Sequence, residues 1–443
     1  MRTSYTFSPQ DIEVFKHKLF HWSAQFNDIV WLNSNQDLNA DYDAVLAVDA
    51  FTAIQTDYTE ALDALDEYQH QTQDWIFGYL GYDIKNGIEN LKSKNDDNLR
   101  FPDLYFFQPQ KLFLIKGKNV ECLYLNMVAE EIKDDLKTIG DQYLSSVDNT
   151  FHQIDLKSKI SKQTYLSKVK EVIKHIQRGD IYEMNFCQEF YAEKHDLNPH
   201  QCFQDLNDIS RPPFACFFKH EHLYALGASP ERFLKKSGKK IISQPIKGTA
   251  RRHSDTEVDK NYKLKLQQDP KEIAENVMIV DLVRNDLSKI AVKNSVEVEE
   301  LCKIYSYKQV HQMISTISAE LKTETNLKEI LKATFPMGSM TGAPKVSAMQ
   351  IIEELESTKR GLYSGCIGYI TPDFDFDFNV VIRSILHNVL KQYTSLMVGS
   401  AITHKSIPEN EYEECLVKAK ALMEVLKNEQ VSKEFFHAKT PKR

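Results

Sequence analysis

Strand-length apolar runs crowd together in this chain and are then interrupted by long amphipathic segments, and that uneven cadence constrains the fold more than any single residue. From about residue 25 to 120, short alternating or apolar stretches such as Ala44-Val-Leu-Ala-Val48 and Leu112-Phe-Leu-Ile115 follow one another, as half-buried or fully buried β-strands do. Trp75-Ile-Phe-Gly-Tyr-Leu-Gly-Tyr82 belongs with them, its glycines permitting close approach of another backbone or a ligand. Further strands are predicted over 223–228, 241–244, 366–370 and 396–402, and helices over 270–281, 310–322, 344–357 and 409–428. Adjacent strands mixed with long helices specify an α+β architecture rather than a regular βαβ alternation. Gly78-Tyr-Leu-Gly-Tyr82 and Gly365-Cys-Ile-Gly-Tyr369 are locally alike, although no solenoid-length repeat is present.

Tyr165, Val169, Val172, Ile173 and Ile176 fall at helical spacing, with Gly179 as the stop. The β-branched and aromatic stretch 180–191 follows as a strand. Between about 129 and 162 the sequence turns polar and loses its apolar period after a helix over 128–136. A boundary near 150 therefore divides an N-terminal region (1–150) from a second region (151–430), with a polar tail at 431–443. The chain carries 55 basic and 63 acidic residues, net −8, without a Lys/Arg block able to track a phosphate backbone, so nucleic acid is not an expected partner. No apolar run approaches the roughly 20 residues that span a bilayer, and the first residues lack a signal-peptide order. A cytoplasmic protein without membrane contact is expected. The seven cysteines are scattered and read as reduced packing residues.

Chemistry concentrates in four places. Gln244-Pro-Ile-Lys-Gly-Thr-Ala-Arg-Arg252 sets Lys247 in a tight Pro/Gly turn, where the following arginines would favour the neutral, nucleophilic amine. Glu272 with Glu275, and Glu411 with Glu414, lie three residues apart on predicted helices, which puts each pair on one face. Hard oxygen donors without His or Cys suit Mg²⁺, although one such pair is equally a solvated acidic face. The cluster Asp281, Arg284, Asn285 and Asp286 reads as an ion-pair network holding the Glu275 helix. Phe335-Pro-Met-Gly-Ser-Met-Thr-Gly-Ala-Pro-Lys345 opens a helix whose free N–H groups could take a carboxylate or phosphate, with Pro344 in the first turn. Tyr369 and Arg383 could complete that anion clamp.

Together these segments resemble the chorismate-utilising enzymes: the large subunits of anthranilate synthase and aminodeoxychorismate synthase, and the isochorismate and salicylate synthases. The resemblance is strong over about 160–428 and weaker before, through Trp31-Leu-Asn-Ser34 and the 77–82 segment. Besides the motifs above it rests on Gly179-Asp-Ile-Tyr-Glu-Met-Asn185, Ser229-Pro-Glu-Arg232, Ile367-Gly-Tyr369, Ile382-Arg383 and Glu411-Tyr-Glu-Glu414. It implies an anthranilate synthase component I-like fold, with large antiparallel sheets forming a two-sheet core and helices packed outside. Lysine at 247 matches the aminodeoxychorismate synthase branch, while the isochorismate branch places its lysine at the position of Glu183. By resemblance, Lys247 attacks C2 of chorismate and Glu231 protonates the departing C4 hydroxyl. Thr341, Gly342, Tyr369, Arg383 and Gly399 bind carboxylates. Mg²⁺ sits on Glu275 and Glu414, with Glu272 and Glu411 acting through water. Ammonia, supplied by a separate glutamine amidotransferase subunit since no such domain is recognisable here, yields 4-amino-4-deoxychorismate for 4-aminobenzoate and folate synthesis. Anthranilate synthase, a dual-purpose enzyme and a non-catalytic chorismate-binding regulator are the alternatives. Three positions depart from the family pattern: Glu183 for Gln, Gln312 in place of His with His311 one residue earlier, and Ala401 within Gly399-Ser-Ala-Ile-Thr403.

Overall fold

The computed structural model describes residues 1–37, 39–142, 154–308 and 310–427. The boundary placed near 150 and the tail at 431–443 lie outside them. The described residues form twenty strands in one continuous hydrogen-bonded network, with every ladder antiparallel, and eleven α-helices. This is the α+β arrangement expected. Strand periodicity explains its layers. In the Ala44–Thr56 strand, Val45 and Ala47 enter one core while Ala44, Leu46 and Val48 enter another. The first core joins strands such as Ile76–Leu80, Leu104–Lys116 and Phe376–Val380, sheet against sheet. The second packs the opposite faces against helices Ile12–Ser23, Lys162–Arg178 and Pro408–Lys427.

The two look-alike glycine segments lie side by side. Ile76–Leu80 pairs with Cys366–Ile370, and Gly78 stands opposite Gly368. A Cβ on either glycine would come within 2.0 Å of a neighbouring carbonyl oxygen, so only hydrogen fits. The Lys162–Arg178 helix ends as read, with Gly179 at φ +86 and its N–H donating to the His175 and Ile176 carbonyls. Predicted strands and helices at 223–228, 241–244, 366–370, 396–402, 270–281, 344–357 and 409–427 all appear within a few residues.

One segment does not. The helix expected over 310–322 is a strand, Val310–Glu320. Val310, Met313, Ile314 and Ile317 imitate helical spacing, but the segment pairs with the strands Lys240–Gln244, Ile246–Arg251 and Glu297–Ser306 and is buried on both faces. A strand buried on both sides needs no alternation, so periodicity could not separate the two readings. Among the described residues no helix is long and apolar enough to cross a membrane, and all seven cysteines are free, six of them buried.

Candidate active site

Lys247 does not sit in a free turn. It lies inside the Ile246–Arg251 strand, where pairing with Val310–Glu320 jumps from Ile246↔Ile314 to Thr249↔Gln312. One extra residue is thus inserted, and Gly248 takes it up at φ +95. A β-bulge of this kind re-aims one side chain out of the regular alternation, and here that side chain is Lys247. Asn276, on the helix Pro270–Ser288, braces the bulge by donating to the Met313 carbonyl at 3.2 Å and more weakly to that of Lys247 at 3.4 Å.

The expected electrostatics are reversed. Arg251 is committed to the Tyr262 hydroxyl, and Arg252 to Asp259 and the Tyr307 carbonyl, so neither cation bears on the amine. Lys247 Nζ instead donates to Glu183 Oε1 at 2.7 Å, with both side chains almost wholly buried. Burial favours the neutral amine, but Glu183, with Glu275 and Glu414 beyond it, outweighs burial and holds Lys247 as an ammonium.

The four acids come from the two helices expected, Glu272 and Glu275 from Pro270–Ser288, Glu411 and Glu414 from Pro408–Lys427. Asp269 caps the first helix, accepting from the Lys271 and Glu272 amides, with Pro270 at the first helical position. Lys271 bridges the two helices, its Nζ 3.8 Å from Glu275 Oε1 and 3.6 Å from Glu411 Oε1. Burial raises the Glu275 carboxyl to about 7 and raises Glu272 as well, the latter also through Glu414. Glu414 goes the other way: burial is outweighed by Lys418, 2.7 Å from it. Glu275 Oε1 and Glu411 Oε2 are buried without hydrogen-bond partners. Carboxylate oxygens left unsatisfied beside Lys271 are a donor set a hard cation would satisfy, so these residues fit Mg²⁺. Among the described residues no three His, Cys, Asp or Glu side chains are already drawn into a coordination shell, so side-chain rotation would have to complete it.

Glu231 feels the charge of Lys247. It is buried, accepts from Ser339 Oγ at 2.7 Å, and is raised by burial to about 7, with the Ser339 bond and the Lys247 charge holding it from rising further. A carboxyl with that value carries its proton near neutrality and can surrender it. Ser339 belongs to the Gly/Pro loop, which Asp286 fixes through an ion pair to Lys345 at 2.6 Å. The helix after the loop starts at Lys345, making Pro344 its cap rather than its first residue. Gly342 has no alternative, since a Cβ there would lie 2.2 Å from the Glu183 carbonyl. Thr341 is buried with its hydroxyl turned to the Met337 and Gly338 carbonyls, and its own carbonyl accepts from the Asn185 amide.

Arg383 emerges from a left-handed backbone position, φ +52, and donates a long hydrogen bond of 3.4 Å to the Lys418 carbonyl. Burial lowers it against the pull of Tyr363 and Glu414. A half-buried guanidinium without a carboxylate partner among the described residues is a fork open to one. Lys418 links this region to the rest, donating to the Gly399 carbonyl at 2.9 Å while pairing with Glu414. Gly399 pairs with Cys187, and a Cβ there would strike its sulfur at 2.6 Å. Ala401 stands opposite Asn185, two pairs further along.

Tyr369 is not brought to this site. Its ring packs against Tyr42, Trp75 and Phe77 and lines a separate cavity with Arg232 and Asp377. Tyr363, beside Arg383, is the tyrosine the site does hold. His311 is buried between Ser306 and Asp259 in a structural role, and Gln312 keeps an unpaired buried carbonyl. Lys271, Asn276, Ser339, Tyr363 and Lys418 escaped the sequence reading. Asn276 carried the one available signal, a polar residue on the buried side of a helix next to Glu275.

A family model described as chorismate binding enzyme matches residues 18–424. Anthranilate synthase component 1 of Aquifex aeolicus is 32% identical over 81% of this chain and 75% of its own length. Aminodeoxychorismate synthase component 1 of Escherichia coli is 32% identical over 80% and 77%. In structure, anthranilate synthase component I from Streptococcus pneumoniae superposes with a TM-score of 0.77 at 26% identity, covering 88% of this chain and 93% of that one. A menaquinone-specific isochorismate synthase from Escherichia coli shares the fold at a TM-score of 0.78 and 17% identity, over 96% and 94%. With Lys247, the paired glutamates and the Gly/Pro loop all inside the matched span, the chain belongs to the chorismate-binding enzyme family.

Proposed function

We propose that this chain is the large subunit of an aminodeoxychorismate synthase, converting chorismate and ammonia to 4-amino-4-deoxychorismate. The observation that carries the reading is the bulge that turns a buried lysine inward, with Glu183 on its amine and Glu231 close enough to feel its charge. Lys247 attacks C2 of the ring while Glu231 gives its proton to the C4 hydroxyl, which leaves as water rather than hydroxide. Ammonia then enters at C4 and expels the lysine, so two displacements replace one difficult substitution. Arg383, with the loop backbone at Thr341 and Gly342 and that of Gly399, holds the substrate carboxylates. Glu275 and Glu414, with Glu272 and Glu411 through water, would hold Mg²⁺, which when bound anchors the ring carboxylate and draws electron density from the diene. Ammonia reaches the site from a glutamine amidotransferase partner, and the product serves 4-aminobenzoate and folate synthesis in the cytoplasm.

Relatives named anthranilate synthase match as well as those named aminodeoxychorismate synthase, at 32% identity for both of the bacterial proteins above, which makes anthranilate formation the second reading. Purified chain incubated with chorismate, Mg²⁺ and an ammonium salt separates them. The proposal expects a product that yields 4-aminobenzoate only after a lyase is added. Fluorescent anthranilate without added lyase would overturn it.

A further inference from the structure

The Lys247 amine is charged in the resting protein, and an ammonium has no lone pair with which to attack carbon. Among the described residues, Glu183 is the only hydrogen-bond partner of Nζ, at 2.7 Å. Its carboxylate is 2% exposed, and its second oxygen is buried with no partner. The free oxygen can take a proton, and moving a single proton from Nζ to the carboxylate removes two buried charges at once. Strand pairing fixes the approach, because the residue opposite Glu183 is Ala343 of the Gly/Pro loop, and Gly342 packs on the Glu183 carbonyl.

We propose that Glu183 is the proton acceptor that frees the Lys247 amine, and that Glu183 and Glu231 work as a base and acid pair about one lysine. This rests on the reading of Lys247 as nucleophile. The protons balance over a turnover. Glu183 takes one from Lys247, and the neutral amine forms the N–C2 bond as the C4–O bond breaks and Glu231 protonates the leaving oxygen. Ammonia forms the C4–N bond, the lysine departs with its electron pair, Glu231 recovers a proton from the new ammonium group, and Glu183 returns its proton to Lys247. The charged groups around the pair are Glu275, which acts on both residues, and Glu414, Glu272 and Glu231, which act on Lys247.

The test uses the full chain with chorismate and Mg²⁺, ammonia withheld, following adduct formation by intact-protein mass across pH. Glu183→Gln keeps the side-chain volume and a hydrogen-bond acceptor but cannot take a proton. It should slow adduct formation about 10²–10⁴-fold near neutrality, with the rate climbing as pH rises and solvent deprotonates the lysine. Chorismate binding, read by fluorescence titration, should be unchanged, and Glu183→Asp should recover part of the rate. A Gln variant with the parental rate and pH profile overturns the proposal. So does one that loses binding together with rate and is not recovered by Asp, since Glu183 would then only hold the pocket. A parent chain that turns over without any adduct refutes the lysine reading itself, and with it this inference.

Discussion

Replacing Glu231 by glutamine should make the protein more stable and nearly inactive, with the stability gain building between about pH 4.5 and 7. Glu231 is buried, and burial carries its carboxyl from 4.5 to about 7. Between those values the unfolded chain has released the proton that the folded chain still holds, so stability falls as pH rises through the window and levels off above it. The gap corresponds to about 3 kcal/mol. Glutamine has no proton to lose and its carbonyl still accepts from Ser339. At about pH 4 the two proteins should therefore unfold alike, and at about pH 8.5 the variant should be more stable by about 3 kcal/mol. Titrating groups shared by both proteins, Asp83 and Glu275 among them, cancel in the difference. Urea unfolding at the two pH values reads it directly, while amination falls about 10²–10⁴-fold with loss of the proton donor. An offset between the variant and the parent that is the same at both pH values would refute the reasoning, because it would mean that Glu231 is already ionised when buried.

Gly248→Ala places a side chain at φ +95 and within 3.2 Å of Glu272 Oε2 and Leu266. It should cost about 1–2 kcal/mol, read by unfolding, and should lower the rate of chorismate consumption by displacing Lys247. Asp286→Ala strands the buried end of Lys345 and should destabilise by about 3–5 kcal/mol, whereas Arg284→Ala, on an exposed pair, should cost under about 1 kcal/mol. Asp269→Ala removes the cap of the Glu272 helix and should cost about 1 kcal/mol by the same measurement.

What the sequence disclosed and what it concealed divide along physical lines. Glu-x-x-Glu spacing, the Gly179 stop and the apolar strands at 223–228 and 366–370 are local signals, written within one turn of helix or a few residues of strand, and the structure has them in place. The strand at 310–320 failed because burial on both faces erases the alternation that marks a strand. The bulge at Lys247 was invisible because it is a register mismatch between two segments some sixty residues apart, and no single segment records its partner's register. For the same reason Arg251 and Arg252, adjacent in sequence, proved irrelevant to the amine, while Glu183 from a distant strand governs it. Tyr369 and Tyr363 sit six residues apart on either side of a strand entry, and only packing shows that one faces an aromatic cluster and the other faces Arg383.

The claim that a bulge-borne lysine forms a covalent bond with chorismate is tested most directly by acid-quenching a single turnover without ammonia, digesting the protein and mapping the modified peptide by mass. The account predicts an adduct on the peptide containing Lys247, equal to chorismate less one water, absent from Lys247→Ala and discharged on adding ammonium. Unmodified protein in every fraction while product accumulates, or a Lys247→Ala variant that aminates at the parental rate, would contradict it.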